Sequence, residues 1–163
     1  MKTRAGTPDR HIDARRSRGI ATVEFAICAP VLLFLMLATA EVGRLLYQYN
    51  TLMKAVRDGA RYAAAHASEN NSTRVVSIST EVSNQTRNLV VTGNVAGTGT
   101  PVLPELTVEN VTVSDAGNGF VRVVVNNYFF TPILGNTLPT FGLGDPINLR
   151  MQLPATVVMR ALL

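Results

Sequence analysis

Gly19, Ile20, Glu24 and Phe25 are the residues whose types and spacing could do chemistry, and they stand where a basic segment meets an apolar run. A peptidase cutting after Gly19 would leave Ile20 as a new N-terminus and Glu24 as the fifth residue of the shortened chain. The freed ammonium and the carboxylate would then lie close together at a membrane surface, in a low dielectric where opposite charges attract strongly. Pairing of this kind between neighbouring copies of the chain would fix their axial register. Glu24 also has a plainer reading, because the positive N-terminal end of a helix favours a carboxylate. At the centre of a span a carboxylate costs roughly 3 kcal/mol on insertion scales, whereas near the edge it reaches the interface more cheaply.

The other candidates carry less. His11 and His66 are far apart, with an apolar run between them, so they supply no metal set. Cys28 is the sole cysteine, which excludes an intramolecular disulfide, and it reads as a small buried hydrophobe. The Gly93 to Thr100 stretch, GNVAGTGT, lacks the lysine of a phosphate-binding loop and reads as a flexible connector. Asp115 and Asp145 stand beside turn residues, where Asp bonds its own backbone. No nucleophile is accompanied by a base and an orienting acid. The expectation is a protein that is not an enzyme and takes no metal or cofactor.

These residues are positioned by the stretch Arg15 to Ala40. From Phe25 to Ala40 no side chain is charged, and adding the turn from Ile20 gives about 20 residues, or roughly 30 Å of helix, the thickness of a bilayer's hydrocarbon core. Before Gly19 stand Lys2, Arg4, Arg10, Arg15, Arg16 and Arg18 against Asp9 and Asp13, which accounts for the whole net charge of +4. The pI near 9.7 is therefore no sign of a nucleic-acid groove. The positive-inside rule keeps this basic end in the cytoplasm and sends the rest across. Pro30 should bend the span. Two rivals exist. Ala38-Thr39-Ala40 fits a signal-peptidase site, which would release a soluble exported protein from Glu41. Arg15-Arg16 hints at twin-arginine export but lacks the apolar pair expected after it.

Gly19 to Phe25 (GIATVEF), Pro30, Glu41-Val42-Gly43-Arg44 and Ala55 to Ala64 (AVRDGARYAA) together resemble the TadE family, minor pseudopilins of the tight-adherence (Tad/Flp) pilus system. The likeness covers about Arg16 to Ala65, and departs at Asp58, where a glutamate is common. It implies cleavage between Gly19 and Ile20 by a prepilin peptidase, with Glu24 and Phe25 serving recognition and assembly. It further implies other pilins, minor pseudopilins and an inner-membrane assembly platform as partners, in the biogenesis of a type IVb pilus used for surface adhesion. A longer relative with a metal-binding adhesion domain is not matched, since no Asp-x-Ser-x-Ser run occurs. The major pilin is excluded by the domain of about 100 residues that follows the helix. The alternative is a signal-anchored or secreted binding module.

The expected organisation is a leader at 1–19, a membrane helix at 20–41 and an exported α+β domain at 42–163. The leader, polar and basic up to Arg18, reads as disordered. Leu45, Tyr49, Leu52, Val56, Ala60 and Ala63 continue the helix to His66. Ala55, Gly59 and Ala63 form a small-residue stripe, expected to receive the domain's own sheet or else another subunit's helix. Ser68 to Thr73 (SENNST) is a break, and Val75 to about Asn88 reads as a second amphipathic helix, with a strand as the alternative that its Val and Thr content leaves open. Thr92 to Pro104 is a loop. Strands are expected at Leu106 to Val113, Phe120 to Phe130 and Ile147 to Leu153, with an Asn118-Gly119 turn and a long loop from Thr131 to Pro146. A small antiparallel sheet would pack on the helix.

Overall fold

The computed structural model describes residues 11–70, 75–133, 135–138 and 144–162. Residues 1–10 of the expected leader, 71–73 of the SENNST break, and 134 and 139–143 of the long loop lie outside the described residues. The chain divides into two units, Met1–Ala40 and Glu41–Leu163. One helix, α1 (His11–His66), contributes to both and continues through Pro30. Its start at His11 corrects the expectation of a disordered leader up to Arg18. The stretch from His11 to Arg18 holds no Gly or Pro, and its Ala and Arg residues favour helix.

In the first unit the apolar side chains of α1 are uncovered: Ile20, Phe25, Ile27, Leu32 and Met36 are each more than half exposed. A helix apolar all round suits lipid rather than water. Cys28 is exposed on the same surface, which corrects its expected burial.

The second unit has its own core. Leu52, Val56, Ala60 and Ala63 of α1 are fully buried in it. After a short hairpin of β1 (Ser68–Asn70) and β2 (Val75–Ser77) comes α2 (Thr80–Thr92). The second helix thus starts later than its apolar spacing suggests. Two β-branched valines favour the strand, and Ser79 caps the helix by accepting the Val82 N–H at 3.2 Å. Gly93, left-handed at φ 76, closes it with an N–H to the Leu89 carbonyl.

At Gly59 the close partner of α1 is α2, not the sheet. A Cβ there would overlap Val90 Cγ2 and lie 3.5 Å from Thr86 Cγ2. The missing side chain lets the α2 backbone approach, with the Thr86 carbonyl oxygen 3.6 Å from the Cβ position. Across the same contact Tyr62 donates its hydroxyl to Gln85 Oε1 at 2.6 Å.

Beyond the loop, a single 3-10 turn at Val108–Asn110 leads into β3 (Val111–Gly117) and β4 (Phe120–Val125). Asn118 and Gly119 join them, both at positive φ (54 and 81), as a two-residue hairpin turn requires. Then follow β5 (Thr137–Leu138), its partner β6 (Ile147–Asn148), and β7 (Ala155–Arg160). The sheet order is β3-β4-β7, antiparallel throughout. Val121, Val123 and Val125 point into the core, and Arg122 faces out.

Two strand expectations need correction. The third strand of the sheet is β7, with Val157 opposite Val123; of the alternating stretch Ile147 to Leu153, Ile147–Asn148 pairs with β5 instead and Gln152 makes an isolated antiparallel bridge to Phe129. In that stretch Ile147 and Met151 are exposed, and Asn148 Oδ1 accepts the Arg150 N–H at 2.8 Å, a local turn that competes with a ladder. Likewise β4 ends at Val125 because Asn127 takes φ 55. The Asn110 amide then donates to the Asn126 and Asn127 carbonyls, each at 3.2 Å. The fold is α+β, with a small antiparallel sheet and a second helix sharing one core with α1.

Candidate membrane and assembly site

Helical spacing brings Gly19, Ile20, Val23, Glu24 and Ile27 to one face of α1. Glu24 stands one turn beyond Ile20, where side chains on a helix are neighbours. Ile20, Glu24, Phe25 and Pro30 are all exposed. Gly19 is helical, and a Cβ built on it would meet nothing within 4 Å. Glycine costs a helix about 1 kcal/mol relative to alanine, so packing within the chain does not explain its presence. Among the described residues one helix is long and apolar enough to cross a membrane, with a most apolar stretch of mean hydropathy 2.3, none of it buried.

Ala55, Gly59 and Ala63 lie apart from that face, in the second unit, where Gly59 and Ala63 are buried and Ala55 half-buried. Arg57, Asp58 and Arg61 are exposed, with Arg61 and Asp58 4.0 Å apart, a solvated face. His66 stacks on Tyr62 with ring centroids 4.1 Å apart. Asp115 Oδ1 accepts the Gly117 N–H at 2.8 Å, the local turn expected of it. Among the described residues no three of His, Cys, Asp or Glu gather as ligands.

A cluster that the sequence reading missed begins at Glu41. This carboxylate is only 7% exposed; its Oε1 accepts the Ile133 N–H at 2.7 Å and its Oε2 lies 3.2 Å from Arg44 Nη1. The Arg44 guanidinium in turn sits 5.8 Å from the centre of the Phe130 ring. Two turns along α1, Gln48 is 5% exposed and accepts the Tyr128 hydroxyl at 3.4 Å. Burial pushes the Tyr128 phenol above its ordinary range, and the charge of Glu105 adds to the shift. One face of α1 therefore holds the 128–133 segment through Glu41 and Gln48, and Leu45 and Leu52 between and beyond them join the core that Tyr128 and Phe130 enter. A signal for it existed: Glu41 and Gln48 stand seven apart, on the stripe that Leu45 and Leu52 mark as core.

Together these features define a class, a protein with, among the described residues, one apolar N-terminal helix fitted to be a membrane anchor, and a small α+β domain that includes the rest of that helix. The family described as TadE-like protein matches residues 19–61. The matched residues lie within the stretch that carried the resemblance. No curated protein and no solved structure matches the chain.

Proposed function

We propose that this protein is a minor pseudopilin of a Tad/Flp pilus, working in pilus assembly without catalysis. The observation that carries the reading is the family match beginning at Gly19, the first residue of a helix face that nothing in its unit covers. In this reading residues 1–19 stay in the cytoplasm, the apolar helix crosses the inner membrane, and residues 42–163 are exported. A prepilin peptidase cuts between Gly19 and Ile20. The Gly19 position supports this, since the fold gives glycine no role there.

The mechanism is physical. Cleavage removes the basic leader and creates an ammonium on Ile20. Glu24 of a neighbouring pilin then pairs with it in a low dielectric, where leaving a carboxylate unpaired is costly. The uncovered apolar surface from Ile20 to Met36 bundles with other pilins on the assembly platform, and the exported domain governs what adds next. The test is the mature N-terminus, read by mass spectrometry on protein isolated from its native membrane. Ile20, with or without an N-methyl group, is the expected first residue. Met1 would mean an uncut anchor and Glu41 a secreted module, and either would overturn the reading.

A further inference from the structure

Ile133 combines two properties that rarely meet: its side chain is 74% exposed, yet its backbone N–H is bound at 2.7 Å to a carboxylate that is itself buried. The loop is held firmly while a large apolar group faces outward. We infer that Ile133 inserts into the outer interface of the lipid bilayer, giving the exported domain a membrane contact beside its helix. The inference rests on the reading of α1 as a membrane anchor.

The argument runs through Glu41, the first charged residue after the apolar run. Side chains on a helix lean toward its N-terminal end. The Glu41 carboxylate, on the first residue of the second unit, holds the Ile133 backbone at 2.7 Å, one position after the uncharged run ends. The headgroup layer adds roughly 5–7 Å on each side of the hydrocarbon core, or about four residues of helix beyond Ala40. A loop tied to Glu41 falls within that layer. The uncovered surface of α1 agrees, since Val42 and Leu46 are more than half exposed and Tyr47 is 69% exposed. Tyrosine rings favour headgroup level, with an apolar body and a polar tip.

Backbone polarity is the usual obstacle to placing a loop at a lipid boundary, because an unbonded N–H there is costly. At Ile133 the N–H is already taken by Glu41, and the Glu41 charge is balanced by Arg44 at 3.2 Å. The segment offers the bilayer an apolar side chain without an unpaired donor at that residue. A second copy of the chain could also cover Ile133, and the experiment separates the two.

The chain has no tryptophan, so single substitutions report on single places. Full-length Ile133→Trp, Met36→Trp and Thr156→Trp proteins are reconstituted in phosphatidylethanolamine and phosphatidylglycerol vesicles, with and without lipids brominated high on the acyl chain. All three positions are exposed, so the substitutions disturb little packing. The expected result is a blue shift and loss of emission at positions 36 and 133, neither at 156, and no change when the protein is diluted into excess lipid. Quenching at 36 without quenching at 133 overturns the inference and leaves the anchor standing. No quenching at 36 overturns the anchor reading and the inference with it. A blue shift at 133 that resists bromine and disappears on dilution assigns the side chain to a second copy, and also overturns the inference.

Discussion

The carboxylate of Glu41 accepts the N–H of Ile133, 92 positions further on, at 2.7 Å. That bond ties the start of the second unit to the segment between β4 and β5. Glu41→Ala would strip the acceptor from both this N–H and Arg44, and such orphaned groups cost about 1–3 kcal/mol. Glu41→Gln keeps a neutral acceptor and is expected to lose less. Urea unfolding of the full chain in detergent micelles ranks the three proteins. Equal midpoints for wild type and the alanine variant would show the bond to contribute nothing.

Gly59 and Gly43 make a matched pair on one helix. A Cβ at Gly59 collides with Val90, whereas one at Gly43 meets nothing within 4 Å. Gly59→Ala should therefore lower stability by about 1–3 kcal/mol through overpacking. Gly43→Ala should raise it by about 0.5–1 kcal/mol, because alanine is the better helix former. The same unfolding midpoints decide it, and a Gly59→Ala protein as stable as wild type would contradict the α1 to α2 contact.

The parts legible in the sequence are those set by local rules. An uncharged run long enough for a bilayer, a positive-φ Asn118-Gly119 turn and the alternating Val121, Val123 and Val125 each announce their element without knowledge of the rest. The errors at Ile147 to Leu153, at Gly59 and at Glu41 share a cause, since each depends on a partner distant in sequence. Ile147 to Leu153 alternates as well as any strand, yet the edge that β4 offers is taken by β7, whose Val157 and Met159 complete the core. The small-residue stripe was clear, but only the fold reveals that Val90 of α2 fills the space at Gly59. The sequence closes the span at Glu41 without revealing its partner, since a backbone N–H at Ile133 has no sequence signature. For the leader and Glu24 the residue types suggest the chemistry, which belongs to other molecules.

Tyr128 gives the fold an alkaline limit. Burial and the Glu105 charge hold its phenol above the ordinary value of 10.0, so between that pH and the folded pKa the unfolded chain releases its proton first. Stability from this residue is complete below about pH 10 and is lost as pH rises through the folded pKa. Tyr128→Phe removes the term, and also the 3.4 Å bond to Gln48, at about 0.5–1.5 kcal/mol near neutrality. The variant is expected to start lower and to lose less between pH 9 and 11. Parallel pH curves for the two proteins would mean that Tyr128 does not titrate differently on folding.

Glu24 tests the assembly mechanism rather than the fold. Its side chain is exposed on a face of α1 with no core beneath it, so Glu24→Ala should leave the folded second unit unchanged. Removal of the leader should also proceed, because the cut bond lies a full turn away, after Gly19. What is lost is the partner for the Ile20 ammonium of the next subunit. If that pair contributes about 1.4 kcal/mol per addition, each step weakens about tenfold, and a polymer built by repetition falls off steeply. The measurements are the mature N-terminus, expected to remain Ile20, and the mass of pili recovered by shearing, expected to drop sharply. Recovery at the wild-type level, with cleavage intact, would remove charge pairing from the mechanism and leave apolar bundling to drive assembly alone.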